Sequence, residues 1–288
     1  MEDTTKSLTL PDGRELVYDI YGAMASNTPT VFYFHGFPAS HHEAALFSAP
    51  TARHGLRIIA PSRPGSSSST FQPDRRFFDG PADVLALADH LGVSRFAVLG
   101  VSAGLCMPSR VVAVGIVAGI VPAALGTADM LLQSHILLWV APWATSLVAW
   151  DMDWQFGEVA QDTGHPERLE QALEDMMRSR PGADRDAWES NRELRPAIVN
   201  SLREALRQGS YPAAWDARML GSMWGFGLDE LEIEPGQMVV WHGDQDVNVP
   251  LAMVKKGLAL MPKAELRVVQ GRVMAACVQI NLTRSWPR

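Results

Sequence analysis

Phe96-Ala97-Val98-Leu99-Gly100-Val101-Ser102-Ala103-Gly104 is a short apolar strand that opens directly onto a G-x-S-x-G turn. The two glycines answer a steric need. A serine on a sharp strand-to-helix turn sits on strained backbone, and side chains two residues to either side would collide. This reading puts Ser102 on a nucleophile elbow; an ordinary glycine-rich β-turn is the plainer alternative. Upstream, Thr30 to Phe34 is a compact β run ending at His35-Gly36-Phe37-Pro38. Backbone N–H groups in such a loop can face a developing oxyanion. Phe37 N–H is the candidate donor, and Ala103 N–H, next after the nucleophile, is the second. His35 itself reads as a residue that shapes the turn. Downstream, Trp241-His242-Gly243-Asp244-Gln245-Asp246-Val247-Asn248-Val249-Pro250 closes a late strand. Open α/β sheets place working carboxylates at such strand ends. Asp246 is the candidate to orient an imidazole, with Asp244 its competitor and a solvated acidic turn the third reading.

Around these motifs strand and helix signals alternate, which implies a parallel sheet wrapped by helices. Thr9 to Leu16 reads as two short strands about a Pro-Asp-Gly turn, His41 to His54 as a helix and Leu56 to Ala60 as a strand. Arg75 to Leu91 carries apolar residues at helical spacing and stops at Gly92. Val111 to Ala118 is β-branched and reads as the next strand, the alternative being that part of Val111 to Ile120 forms the helix after the elbow and the strand is lost. After Pro122 the character changes. Residues 123–230 hold seven of the nine tryptophans, no convincing strand, and two charged helical stretches, Glu167 to Ser179 and Arg185 to Gln208. The expected division is therefore a core in two parts, 1–122 and 231–288, with a helical cap inserted at 123–230. In the last part Met238 to Trp241 and Leu266 to Val269 read as strands around a helix at Leu251 to Leu260. Trp139, Trp143, Trp150 and Trp154 are expected to pack the cap, or to line an apolar pocket beneath it.

The uncharged runs Val111 to Ala128 and Met130 to Trp150 approach the length of a bilayer span. Gly115, Gly119, Pro122 and Pro142 interrupt them and basic flanks are sparse, so a buried strand followed by an apolar cap is the preferred reading. The 288 residues are 47% hydrophobic and 20% charged, which excludes a disordered chain. A net charge of −7 gives no basic surface for nucleic acid. Cys106 and Cys277 make no disulfide framework and no zinc spacing, so no metal is expected. Met1 to Ser7 is polar and lacks a signal-peptide pattern, so the cytoplasm is the expected compartment.

Together these residues resemble the α/β-hydrolase superfamily, in particular its capped esterase and peptidase-like members. The similarity covers most of the chain, including the Leu-Pro-Asp-Gly-Arg hairpin, the His35-Gly36 loop and the Arg63-Pro64-Gly65 turn. Gly243-x-x-Asp246-x-x-Val249-Pro250 matches the family's acid loop and favours Asp246 over Asp244. The resemblance implies Ser102 as nucleophile, Asp246 as the acid, a small acyl substrate such as an ester, and no cofactor. A serine at the elbow argues against branches that use aspartate there, such as epoxide hydrolases.

Two departures stand out. The family places its catalytic histidine in a Gly-His step after the last strand, where this chain has Gln270-Gly271-Arg272, and no histidine follows His242. His135 and His165, in the cap region, are the conceivable substitutes. Without a base, serine is a poor nucleophile near neutral pH. Losing the serine or the histidine of such a triad costs about 10⁶ in kcat, roughly 8 kcal/mol of barrier. A weak esterase is therefore expected, with a non-catalytic binding protein of the same fold as the alternative. The second departure lies between Gly104 and Val111, which is short for a crossover of at least ~10–12 residues including its helix. An excised segment there and a replaced C-terminal stretch, arginine-bearing and without acids from Arg272 onward, would leave this pattern.

Overall fold

The structure is a computed structural model that describes residues 5–25, 28–101, 110–180, 182–190 and 194–271. These residues build an eight-stranded sheet from β1 (Lys6–Thr9), β2 (Glu15–Gly22), β3 (Thr30–Phe34), β4 (Arg57–Pro61), β5 (Phe96–Val101), β6 (Val111–Val117), β7 (Met238–Gly243) and β8 (Glu265–Val269), in the order β1-β2-β4-β3-β5-β6-β7-β8. β2 pairs antiparallel with β1 and with β4, and every other pairing is parallel. β5 is buried along its whole length, as expected for a central strand covered on both faces. Its residues alternate between two cores. Phe96 and Val98 pack with Val84, Leu87 and Met253, whereas Ala97, Leu99 and Val101 pack with Ala44 and Phe47.

The helices follow the sequence with instructive differences. The segment expected as one helix from His41 is a 3-10 helix (His41–Phe47) followed by α1 (Ser48–Arg53). Pro50 has no N–H and falls in the first turn of α1, where none is needed; a continuous helix from His41 would have placed it in the interior. Similarly, α2 covers Gly80–His90 rather than starting at Arg75, with proline in its first turn after a 3-10 turn at Phe77–Asp79. Between β6 and β7 run α3 (Leu132–Val140), α4 (Thr145–Met152), α5 (Glu158–Gln161), α6 (Glu167–Arg178), α7 (Gly182–Ser190), α8 (Leu194–Ala205) and α9 (Tyr211–Gly221). The stretch read as one helix over Arg185 to Gln208 is thus two helices. α10 (Leu251–Ala259) precedes β8. β6 occupies the first of the two uncharged runs, and among the described residues no helix is long and apolar enough to cross a membrane.

The serine run at 66–69, featureless as sequence, ties three parts of the chain together. Ser69 Oγ donates to Ser62 O and accepts from Val17 N–H, and Ser67 Oγ donates to Glu204 of α8. Gln208 adds bonds to the carbonyls of Ser67 and Ser69. Gly65, just before this run, has φ +86°, and a Cβ there would lie 2.3 Å from Pro212 of α9. Gly65→Ala is therefore expected to cost more than ~1 kcal/mol, by left-handed strain and by forcing α9 off the sheet edge. Urea denaturation checks it, and a cost within ~0.5 kcal/mol would contradict this packing.

Candidate active site

β3 and β5 pair in parallel with Phe34 opposite Gly100, so the 35–37 loop and the entrance to the G-x-S-x-G turn leave the sheet side by side. Ser102 and Ala103 themselves lie outside the described residues. The loop is fixed from within. His35 is fully buried; its Nδ1–H donates to Gly36 O at 3.0 Å and its Nε2 accepts from Arg63 N–H at 3.1 Å. Burial and the neighbouring Arg63 push this imidazole well below its ordinary pKa, so it is neutral and shapes the turn. Gly36 N–H donates to Glu43 Oε2 at 2.6 Å, and Tyr33 O–H donates to the same oxygen at 2.8 Å. The Arg63 guanidinium donates to His35 O at 2.8 Å and also to Gly36 O. With its flanking groups held in this way, Phe37 N–H makes no hydrogen bond among the described residues.

Arg63 also donates to Asp216 of α9 at 2.9 Å, and the buried Arg75 pairs with the other oxygen of the same carboxylate. Desolvation pushes Arg63 to about 10 and Arg75 to about 9, which leaves both charged at pH 7. Beside this group lies a cavity of ≈ 120 Å³ whose walls include Phe34, Phe37, Phe77, Val84, Met219 and Leu220.

At the end of β7, Asp246 is buried. Its Oδ1 accepts from Asn248 N–H and Val249 N–H, both at 2.9 Å. Oδ2 has no hydrogen-bond partner among the described residues. Asp244 is only partly buried and accepts from Gly271 N–H at 2.7 Å, so it joins the ends of β7 and β8. The acid loop also meets the helical segment: Asn248 Oδ1 accepts from Arg180 at 2.9 Å and Ser134 at 3.1 Å, and Leu131 N–H donates to Val247 O.

Burial pushes the Asp246 carboxyl above its ordinary 3.8 and outweighs the two N–H bonds, His242 and Arg180, which pull it down. A carboxyl raised on folding holds its proton more tightly in the folded state. Its ionisation therefore destabilises the fold increasingly as pH rises from the unfolded value through the folded one. Asp246→Asn is expected to raise the unfolding free energy at pH 7 by about 1 kcal/mol. The gain should shrink as pH falls through the folded value and vanish about a unit below 3.8, where Asp246 is protonated in both states. Denaturant titrations at the two pH values check this.

The histidines do not converge on Asp246. His135 Nδ1 lies 2.7 Å from Thr127 Oγ1, and the exposed His165 lies 3.4 Å from Asp162. His242 Nε2 is 3.9 Å from Asp246 Oδ2, but it donates to Val249 O at 2.7 Å and its side chain is fully buried. A buried serine–histidine–carboxylate chain exists elsewhere. Ser62 Oγ is 2.6 Å from His41 Nδ1, and His41 Nε2 is 3.5 Å from Asp19. Ser62 is fully buried and its Oγ also accepts from His41 N–H at 3.2 Å, so the chain ties the 3-10 helix to β2 and β4. Asp19, His41 and His42 are also the metal-capable donor cluster among the described residues, their ligand atoms within 4.8 Å of one another. Asp19 is already engaged by Tyr21 O–H and by His41.

Sequence reasoning missed Glu43, Asp216, Arg75 and Arg180. Arg63 was visible only as part of a turn, with nothing to say what its side chain holds.

The model of the α/β-hydrolase fold family matches residues 29–107. Among solved structures, the chain resembles a carboxylesterase from Nitrososphaera gargenis, with TM-score 0.61 and 16% identity over 95% of this chain and 93% of that one. It also resembles an esterase from a Rhodococcus species (TM-score 0.62, 19% identity, 96% and 94%) and the enol-lactonase from Burkholderia xenovorans (0.62, 16%, 92% and 91%). No curated protein sequence matches. By its sheet order, this match over residues 29–107 and these structural likenesses, the chain has the α/β-hydrolase fold.

Proposed function

We propose that this protein is a cytoplasmic serine-hydrolase scaffold for short acyl esters, with residues 123–230 as its cap, whose chemical step runs without its general base. The observation that carries the reading is the convergence at one sheet edge of three groups: the unengaged Phe37 N–H, the end of β5 that feeds Ser102, and the buried Asp246. In this mechanism Ser102 Oγ bonds to the substrate carbonyl carbon. The carbonyl oxygen takes the negative charge against Phe37 and Ala103 N–H, and the alkoxide departs as the carbonyl re-forms. Water then hydrolyses the acyl-enzyme. Without an imidazole oriented by Asp246 to accept the serine proton, this covalent route contributes little, and turnover falls to what water attack on a carbonyl held by the Phe37 and Ala103 N–H groups supplies.

The cavity beside Phe37 supports a small acyl group. An apolar cavity of about 150 Å³ holds benzene, so ≈ 120 Å³ suits a chain of a few carbons. The expected preference is p-nitrophenyl acetate or butyrate over the octanoate by at least tenfold in kcat/KM. Equal or reversed preference would overturn the assignment of this cavity. A second reading, an acyl-binding protein without turnover, is favoured by the absence of a histidine after His242. Saturable binding of a short-chain ester, with release no faster than its spontaneous hydrolysis, would establish it.

A further inference from the structure

Trp139, Trp143, Trp150 and Trp154, expected to pack the cap or line a pocket, are exposed by 71, 85, 63 and 76%, and Leu132, Ile136 and Leu147 beside them by 69, 49 and 55%. The reason lies on the opposite side of the same helices. Ala141, Val148 and Ala149 are buried against Ala214 and Ala217 of α9. Gly221 lets the backbone of α3 approach so closely that a Cβ there would lie 2.0 Å from Leu138 O. Small residues thus dock α3 and α4 on α9 and turn the large ones outward. Bonds from Ala141 N–H to Leu137 O and Ala144 N–H to Val140 O extend α3 into a turn that carries Trp143, and Ala144, at φ −135° and ψ 53°, ends the winding before α4 begins. None of the four tryptophans stacks on another ring among the described residues.

We propose that this stripe is the two-fold interface of a homodimer, with Trp143 on the axis. The spacing is symmetric: apolar residues stand 4, 7 and 11 positions to either side of Trp143. An antiparallel copy therefore sets Leu132 against Trp154, Ile136 against Trp150 and Trp139 against Leu147, each aliphatic side chain facing an indole. Such self-complementarity is what an isologous contact requires. The area also suffices. A tryptophan buries about 150–250 Å², so four of them with three aliphatic residues offer on the order of 800 Å² per protomer, one partner's share of a stable interface. A lipid surface fits less well, because the chain has no lysine or arginine between Arg110 and Arg168 and exposes Asp151 and Asp153 beside the stripe. In the antiparallel pairing those aspartates meet the partner's Leu132 end, away from their own copies.

The test is sedimentation equilibrium of the full chain at micromolar concentration, with circular dichroism to verify folding. Wild type should be a dimer, and Trp143→Asp and Trp143→Lys should each be monomeric. Only a contact of residue 143 with its own copy predicts that mixing the two variants restores the dimer. A monomeric wild type, a dimer that survives either substitution, polydisperse aggregates, or a mixture that stays monomeric would each overturn the proposal. So would flotation of a monomeric wild type with phosphatidylcholine–phosphatidylglycerol vesicles, which would assign the stripe to lipid.

Discussion

Asp216→Ala is expected to destabilise the protein by about 3 kcal/mol. Removing one partner of a buried ion pair costs about 3–5 kcal/mol, mainly because the remaining charge is stranded. Here Asp216 neutralises two guanidinium groups, so the cost would be high if both were fully enclosed. Arg75 is buried, but Arg63 retains 19% side-chain exposure and bonds to two carbonyls, which places the effect at the low end. Asp216→Ala combined with Arg75→Met removes the more deeply buried of the two stranded charges and should recover at least half of the loss. Urea denaturation of the three variants checks this. A single-variant loss under ~1 kcal/mol would show that solvent screens the cluster. The consequence reaches the site, because Arg63 holds the carbonyls of His35 and Gly36, the two that immediately precede the Phe37 N–H donor.

Arg272→His is expected to raise ester turnover by about 10²–10⁴, the usual contribution of a positioned general base. A histidine at 272 restores the family's Gly-His step directly after Gly271, which is tied to the acid loop through Asp244 at 2.7 Å, and Asp246 of the same loop has an oxygen without a partner among the described residues. The gain should require both Ser102 and Asp246. Arg272→His combined with Ser102→Ala, or with Asp246→Ala, should fall back to the parent rate. A gain that survives loss of Ser102 would mean that the new imidazole acts alone.

The fold was legible because its strands are short apolar runs ending in motifs: β3 coincides with Thr30 to Phe34, and β5 and β7 each extend the runs read at Phe96 and Met238 by two residues. The preference for Asp246 over Asp244 rests on the resemblance of Gly243-x-x-Asp246-x-x-Val249-Pro250 to the family's acid loop. The structure adds a physical correlate in the burial of Asp246 and the tie of Asp244 to β8. Asp216 was not legible, because its partners stand 153 and 141 positions upstream and no local pattern links them. The outward face of α3 and α4 escaped for another reason. Helical periodicity identifies a stripe but not which side is covered, and here alanine and glycine took the buried side while tryptophan took the outer one.

The most direct test of the central claim is the turnover of p-nitrophenyl acetate by wild type beside Ser102→Ala. In a triad enzyme, losing the serine costs almost nothing further once the histidine is gone. The two proteins should therefore agree within about tenfold, at no more than the 10³–10⁴ over water that an oxyanion hole and binding alone supply. Turnover by wild type near the ordinary enzyme rate of ~10 s⁻¹, abolished in Ser102→Ala, would contradict the account. It would mean that a base does reach Ser102.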